Sequence, residues 1–288
     1  MNKTLVEVSN LTKTFHSDQG EIKALDGVSF SVSEGETLGV VGESGCGKTT
    51  LGRVLAGLVR RDEGTVVFAD KTRRKQIIFQ DPYNSVDPYW TVERIVMETC
   101  NDRNEAIQLL NKVGLGIREK DSYPHELSGG QLQRVGIARA LGAKPDFIVC
   151  DEPVSALDVS YQSKIISLLE ELQQQEHLTY LFISHDLAVV RHIADRIMIM
   201  YKGQIMEIGE TGEIIKNPVH PYTEFLLSAV PSPFEKKENF DIRDDKVVSK
   251  GCPFAPRCPY RQEICLQKRC ELKMHGDGHL VACHVKEK

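Results

Sequence analysis

The sequence predicts an α/β fold with a mainly parallel sheet, on three observations. Short, nearly unbroken apolar runs recur between Thr37 and Ile208, stretches of helical periodicity lie between them, and glycine-rich or acidic turns follow several of the runs. Strands that are apolar on both sides belong in a sheet covered on both faces, the situation of parallel strands joined by helices. The 288 residues suffice for one large or two modest domains, each able to bury its own core. With 41% hydrophobic and 27% charged residues, the chain reads as an ordinary globular protein rather than a disordered one. A net charge of -5 gives no sign of a polyanion partner, so nucleic acid is not expected. No apolar run reaches the length of about eighteen residues that a membrane helix needs; the nearest, Tyr180 to Tyr201, is broken by His185, Asp186, Arg191, Asp195 and Arg196. Residues Met1 to Leu11 lack the apolar core and cleavage site of a secretory leader. The chain is therefore expected to stay in the cytoplasm, where disulfides among its 8 cysteines are not expected.

Each element follows from its local pattern. Thr37-Leu-Gly-Val-Val41 is an apolar strand that ends in a glycine-rich turn and leads into a helix from Thr49 to Leu58. From Asp81 to about Leu127 the chain turns polar and carries a helical stretch, Glu105 to Val113, which reads as a mainly helical subdomain inserted over about 81–141. Phe147 to Cys150 and Tyr180 to Ile183 are further strands. Between them, Gln162 to His177 places Ile165, Ile166, Leu169 and Leu172 at three- and four-residue spacing, an amphipathic helix docking on the sheet. Ile197 to Met200, the turn Tyr201-Lys-Gly-Gln204 and the run Ile205 to Ile208 make a closing hairpin. Charged runs around 235–239 and 243–246 read as a solvated linker. The boundary falls near residue 235, giving a domain over 1–235 and a cysteine-rich extension over 236–288.

Gly42-Glu-Ser-Gly-Cys-Gly-Lys48-Thr49-Thr50 matches a phosphate-binding loop and sits where that chemistry demands, after a strand and opening a helix. Glycines let the backbone curl so that the N–H groups of Gly42, Ser44, Gly45, Cys46, Gly47, Lys48, Thr49 and Thr50 can face phosphate oxygens, and the helix behind adds its positive end. Lys48 supplies a point charge to the β- and γ-phosphates, and Thr49 offers a hydroxyl to Mg²⁺, so ATP and Mg²⁺ are the expected ligands. The strand Phe147 to Cys150 ends in Asp151 and Glu152. Acids after a strand are commonly helix caps, but beside a phosphate loop Asp151 reads as a Mg²⁺ ligand and Glu152 as the base that orients and deprotonates the attacking water.

Leu127-Ser128-Gly129-Gly130-Gln131 begins a helix with a good N-cap and two glycines that admit a phosphate to the backbone. Followed by Leu-Gln-Arg-Val-Gly-Ile-Ala-Arg-Ala-Leu141, it resembles the signature of ABC ATPases. The resemblance implies a P-loop NTPase core with a mainly parallel sheet, an N-terminal antiparallel β subdomain and an inserted α-helical subdomain. It implies also a dimer in which Ser128, Gly129, Gly130 and Gln131 close over nucleotide held by the other subunit. On the same grounds Gln80 corresponds to the glutamine that touches Mg²⁺ and the attacking water. Ser155-Ala-Leu-Asp158 corresponds to the loop crossing the dimer interface, His185 to the switch histidine on the γ-phosphate, and Phe15 to the aromatic that stacks on adenine. Glu152, His185, Gln80 and Lys48 are then the catalytic set. One departure is the short, basic stretch between Gly64 and Gln80, with Lys71, Arg73, Arg74 and Lys75, where the family carries a longer β-rich excursion. It reads as a solvated loop or as a surface facing phospholipid or a membrane subunit.

Asp81-Pro-Tyr-Asn-Ser-Val-Asp-Pro88 and Asn217-Pro-Val-His-Pro-Tyr-Thr223 narrow the resemblance to the branch that imports oligopeptides, dipeptides or nickel. That implies a second, non-identical ATPase subunit, two transmembrane permease subunits and an extracytoplasmic substrate-binding protein, with this chain peripheral at the cytoplasmic face of the membrane. Gln131-Leu-Gln-Arg-Val resembles the second of the branch's two ATPases. In the tail, Cys252, Cys258, Cys265 and Cys283 are four soft ligands in a proline-punctuated segment too small for a large core of its own. Some members of the branch hold a [4Fe-4S] cluster there; Zn²⁺ and no metal at all stay open, and the spacing is not that of the usual zinc pairs. Cys270 is spare, and His275, His279 and His284 are lesser candidates. A soluble ABC ATPase acting on nucleic acid or ribosomes, an exporter ATPase, and a regulatory metal module with a vestigial nucleotide site are the other readings. The first usually has two cassettes or a long coiled coil, and intact Lys48, Asp151, Glu152 and His185 argue against the last.

Overall fold

A computed structural model of the chain describes residues 3–17, 20–70, 72–116, 118–229, 250–276 and 278–285. The chain opens with an antiparallel pair, β1 (Thr4–Ser17) and β2 (Gly20–Ser33), before β3 (Thr37–Val41) and α1 (Lys48–Leu55). Next come β4 (Glu63–Phe68), β5 (Lys75–Ile78) and three helices, α2 (Val92–Cys100), α3 (Arg103–Lys112) and α4 (Gly129–Gly142). β6 (Phe147–Asp151), α5 (Val159–Glu176), β7 (Thr179–Ser184), α6 (Leu187–Ile193), β8 (Arg196–Tyr201) and β9 (Gln204–Glu210) complete the alternation. Two helices, α7 (Thr211–Lys216) and α8 (Pro221–Ala229), precede the tail, which forms α9 (Ile264–Gln267), β10 (Lys273–Met274) and β11 (Leu280–Val281).

Two sheets result. β2, β1 and β4 form an antiparallel sheet, and the larger sheet runs β10-β11-β9-β8-β3-β7-β6-β5. Within the latter, β8, β3, β7, β6 and β5 are parallel and β9 turns back antiparallel on β8. Every residue of β3, β6 and β7 is buried, which is why these strands are apolar without alternation. α1 lies between the sheets, with Leu51 and Leu55 packed among Leu5, Leu11 and Leu25 on one side and Val149, Leu181 and Ile183 on the other. On the opposite face, α2, α3 and α4 share a second core with α5 and α6.

The predicted strands agree with the structure to within two residues at each end, and the helices differ more. α1 stops at Leu55 rather than Leu58, and Gly57 lies beyond it at φ 82. α5 begins at Val159, three residues before the expected start, because Asp158 serves as its N-cap and the Gln162 side chain donates to the carbonyls of Val154 and Leu157. Its buried stripe is Ile165, Leu168, Leu169 and Leu172, with Ile166 only half-buried. In the basic stretch leading into β5, Arg74 is exposed while its neighbours make specific contacts. Arg73 donates to Asp146 at 2.5 Å and to Glu34 at 2.6 Å, the Arg74 N–H donates to Asp146, and Lys75 lies 4.5 Å over the Phe68 ring. Lys71, the charged runs and the expected boundary near 235 lie outside the described residues.

The tail does not stand apart. β11 pairs with β9, Leu280 opposite Ile208 and Val281 opposite Glu207, so that it continues the large sheet. Phe254 is 1% exposed and packs on Tyr201 and Tyr222. No helix among the described residues is long and apolar enough to cross a membrane.

Candidate functional site

The loop joining β3 to α1 is shaped by close backbone approach. Gly42 lies so near the end of β8 that a Cβ would stand 2.1 Å from the Met200 carbonyl oxygen. Gly47, the N-cap of α1, has φ 106, and a Cβ there would meet the Ala24 carbonyl oxygen at 2.2 Å. Neither position admits a side chain without moving backbone. Lys48 is 4% exposed, and its ammonium donates to the carbonyls of Gly42 at 2.7 Å and Glu43 at 3.0 Å. The Thr49 hydroxyl donates to Asp151 at 3.0 Å. Burial pushes the Asp151 carboxyl up, against the hydrogen bond from Thr49 and the positive charge of Arg53. A hydroxyl beside a carboxylate at a phosphate loop is an oxygen donor set suited to Mg²⁺.

Beyond β6 the chain bends sharply. Glu152 has φ 47, a left-handed conformation that costs a non-glycine residue on the order of 1 kcal/mol. Its N–H donates to the Ile183 carbonyl at 3.0 Å, and Ser155 donates to its carbonyl through both N–H and hydroxyl. The bend aims the Glu152 carboxylate at two residues from other elements. The Gln80 side-chain amide donates to it at 3.1 Å, and His185 Nδ1 stands 3.3 Å away. Gln80 follows β5 and His185 follows β7, so the C-terminal ends of three adjacent parallel strands deliver one group each.

These groups open on a cleft of about 600 Å³ bounded by the loop, Gln80, Glu152 and His185, with Phe15 at its rim. Ser44, Gly45, Gly47, Lys48, Thr49 and Thr50 line it, whereas Gly42, Cys46 and Asp151 are not on its surface. Cys46 is buried, and that burial pushes its thiol up. Two lining residues escaped sequence reasoning, Ile22 and Ala24 of β2. Ile22 is 61% exposed and stands directly opposite Phe15 in the β1–β2 register. An exposed apolar pair at the tip of a hairpin was the available signal.

Ser128 to Gln131 and Asp158 are not among the residues that line this cleft. Ser128 caps α4, its hydroxyl accepting the Gln131 N–H while the Gln131 side chain accepts the Ser128 N–H. Leu157 and Tyr161 stand beside Gly129 and Gly130, which places the 155–158 loop next to the start of α4.

In the tail, Cys252 and Cys258 each lie near the other three candidate ligand cysteines. Burial, with a smaller push from the neighbouring thiols, carries the Cys252 thiol up to about 12 and the Cys258 thiol up to about 11. No disulfide joins any of the 8 cysteines. No group of three or more His, Cys, Asp or Glu among the described residues stands in an arrangement that would hold a metal ion. His279 is committed elsewhere, its Nε2 2.7 Å from the carboxylate of Glu207, and His284 to the Lys268 carbonyl at 2.9 Å.

A phosphate loop on a mainly parallel sheet, an acid pair at the next strand end and a capped glycine helix start define an ABC-type P-loop ATPase. The ABC transporter family profile matches residues 25–155, and that of the oligopeptide/dipeptide transporter C-terminal region matches residues 206–265. The oligopeptide transport ATP-binding protein AppF of Bacillus subtilis is 43% identical, the match covering 98% of each chain. The dipeptide transport ATP-binding protein DppF of Haemophilus influenzae is 41% identical over 98% of this chain and 97% of the relative. Among solved structures, a dimeric ATP-binding cassette in a post-hydrolysis state with ADP and Pi is 29% identical, with a TM-score of 0.64 over 72% of this chain and 99% of that one. A nucleotide-free ATP-binding cassette gives a TM-score of 0.68 at 29% identity, over 77% and 98%. The chain belongs to the family of ATP-binding subunits of ABC oligopeptide and dipeptide transporters, and it is an ATPase coupled to transport.

Proposed function

We propose that the chain hydrolyses ATP at a dimer interface, at the cytoplasmic face of the membrane, to drive uptake of oligopeptides or dipeptides through partner permeases. Nickel is the alternative cargo. The observation that carries the reading is the convergence of Lys48, Thr49, Gln80, Glu152 and His185 on one cleft, with Asp151 directly behind Thr49. Adenine stacks on Phe15 with Ile22 beside it, and the triphosphate runs along the loop towards the start of α1. Lys48 exchanges the carbonyls of Gly42 and Glu43 for the β- and γ-phosphates. Thr49, Asp151 and Gln80 hold Mg²⁺, which when bound neutralises the phosphate oxygens and orients them. Glu152 accepts the proton of the attacking water, and Gln80 and His185 fix its carboxylate and the γ-phosphate side of the cleft.

One side of the nucleotide is open to solvent, and Ser128, Gly129, Gly130 and Gln131 of a second, non-identical ATPase subunit complete it, with Asp158 at the same interface. The relatives named for oligopeptide and dipeptide transport support the cargo class. Residues 1–235 form the ATPase domain in this reading. The segment 81–141, carrying α2, α3 and α4, passes the dimer's closure to two permease subunits, and an extracytoplasmic binding protein supplies cargo. The assembled transporter in sealed vesicles, given MgATP inside the catalytic compartment, is expected to accumulate a labelled oligopeptide or dipeptide. ATP-dependent accumulation of nickel with no peptide uptake would replace peptide by metal as the cargo, and accumulation of neither would end the importer reading.

Cys252, Cys258, Cys265 and Cys283 are proposed to hold a [4Fe-4S] cluster, with Zn²⁺ as the alternative, in a structural role. Four cysteine sulfurs in one short segment, with Cys252 and Cys258 each close enough to feel the other three, are the donor type such a cluster takes. The four side chains would have to turn towards a common centre and lose their protons, which the raised Cys252 and Cys258 thiols make difficult without a cation present. Full-length protein purified without oxygen is expected to absorb broadly near about 400 nm, as thiolate-ligated iron does. A colourless protein with stoichiometric zinc reverses the metal, and one with neither metal removes the site.

A further inference from the structure

The tail reaches back to the phosphate loop through one side chain. Arg257 lies in the turn Ala255–Arg257, just before Cys258, yet its guanidinium grips Glu43, the second residue of the loop. Both bonds of the fork are 2.9 Å, Nη1 to Oε2 and Nη2 to Oε1, and Nη1 also donates to the Tyr201 hydroxyl at 3.2 Å. The Arg257 side chain is 8% exposed. It lies over the rings of Tyr201, Phe225 and Phe254 at 5.7, 5.1 and 5.6 Å. A planar fork held by three rings and a paired carboxylate is a preorganised contact rather than a loose surface pair.

Glu43 is fastened at every polar group. Its N–H donates to the Tyr222 hydroxyl at 2.9 Å, its carbonyl accepts from Lys48 at 3.0 Å, and its carboxylate is the one Arg257 holds. Tyr222 packs on Tyr201 and Phe254, so the same aromatic cluster supports both the hydroxyl and the guanidinium. The far end of the loop has independent anchors, the Gly203 N–H on the Cys46 carbonyl at 2.9 Å and Gly47 against Ala24. The Glu43 side chain at the entry of the loop is thus held by the tail, whereas among the described residues nothing at the exit is.

We propose that Arg257 is a positioning residue for nucleotide: it clamps Glu43 so that the phosphate loop is already curled when ATP arrives, and thereby makes nucleotide affinity depend on the C-terminal extension. The inference rests on the nucleotide reading of the cleft. Binding to a loop ordered beforehand avoids the entropic cost of ordering it, so releasing the clamp weakens affinity without touching the hydrolytic groups Glu152, Gln80 and His185. Lys48 is bonded to the affected residue through the Glu43 carbonyl but keeps its bond to the Gly42 carbonyl.

The test is equilibrium binding of a fluorescent ATP analogue with Mg²⁺ to the full-length chain, alongside steady-state hydrolysis and thermal melting. Arg257→Gln is expected to raise Kd and KM roughly five- to tenfold while kcat changes less than about twofold. Arg257→Lys recovers only part of the loss, because an ammonium cannot reproduce the fork. Glu43→Gln matches Arg257→Gln, and the double variant binds no more weakly than either single one. A variant that melts lower yet binds nucleotide as wild type does, or single losses that add in the double variant, overturns the clamp. Failure of the wild type to bind MgATP overturns the nucleotide reading itself, and the clamp with it.

Discussion

Glu152→Gln should reduce ATP turnover by about 10²- to 10⁴-fold, the range that a positioned general base contributes, while leaving the affinity for MgATP within about twofold of wild type. The argument is geometric. Glutamine preserves the length of the side chain, tolerates the same backbone bend at φ 47, and still reaches the Gln80 amide, but it has no lone pair basic enough to take a proton from water. Lys48, Thr49 and Phe15, proposed to meet the phosphates and adenine, lie elsewhere on the cleft wall and are untouched. Hydrolysis and binding measured on the same preparation separate the two effects. Unchanged turnover would remove Glu152 from the chemistry, and lost binding would make its role one of holding the site together.

The second large effect concerns stability. Glu207 on β9 is 0% exposed, and its carboxylate accepts the N–H groups of Val219 at 2.8 Å and His220 at 2.9 Å, with His279 Nε2 at 2.7 Å. Glu207→Ala leaves three buried donors without an acceptor and should destabilise the chain by about 3–5 kcal/mol, at about 1–3 kcal/mol for each buried group left unsatisfied. Denaturant titration reads it directly, and a loss below about 1 kcal/mol would mean that solvent reaches the site. The pH dependence follows from the carboxyl itself. Burial pushes it up, but the bonds from His279, Val219 and His220 outweigh burial and hold it below its ordinary 4.5. A carboxylate with a lowered folded value stabilises fully above the unfolded value, and the stabilisation is lost as pH falls below about 4.5 towards that folded value. Wild type should therefore lose stability on that acid limb, and Glu207→Ala should lose less of it.

The readable parts of this fold were those whose pattern has a single physical cause. β3, β6, β7 and β8 are buried along nearly their whole length, so apolar character alone marks them. The start of α4 was equally plain, because Ser128 and Gln131 are a capping pair three residues apart and the bonds form as their chemistry requires. β1 and β2 were not readable in the same way. Register shifts between Val8 and Leu11 and on to Thr14, with Asn10 at φ 50, break the alternation that would announce a half-exposed pair. Phe15 and Ile22 were consequently hard to place on one wall from composition. Gln80, Glu152 and His185 could each be picked out by motif, but the approach of Gln80 and His185 to Glu152 depends on the order of strands in the sheet, which no local pattern contains. The partnership of Glu43 and Arg257 spans 214 positions of sequence, and neither residue type is unusual where it stands.

The two short tail strands also settle how the large sheet ends. Without β11, the stretch of β9 around Met206 to Ile208 would lose its partners on that side and offer an edge to a strand from another molecule. As the chain stands, the sheet ends on β11 and β10, two residues each, and a terminal strand that brief is a poor template for growth. A version of this protein shortened before Leu280 would be adhesive even if its ATPase machinery were intact, and its failure in solution would arise from an open edge rather than from a damaged site.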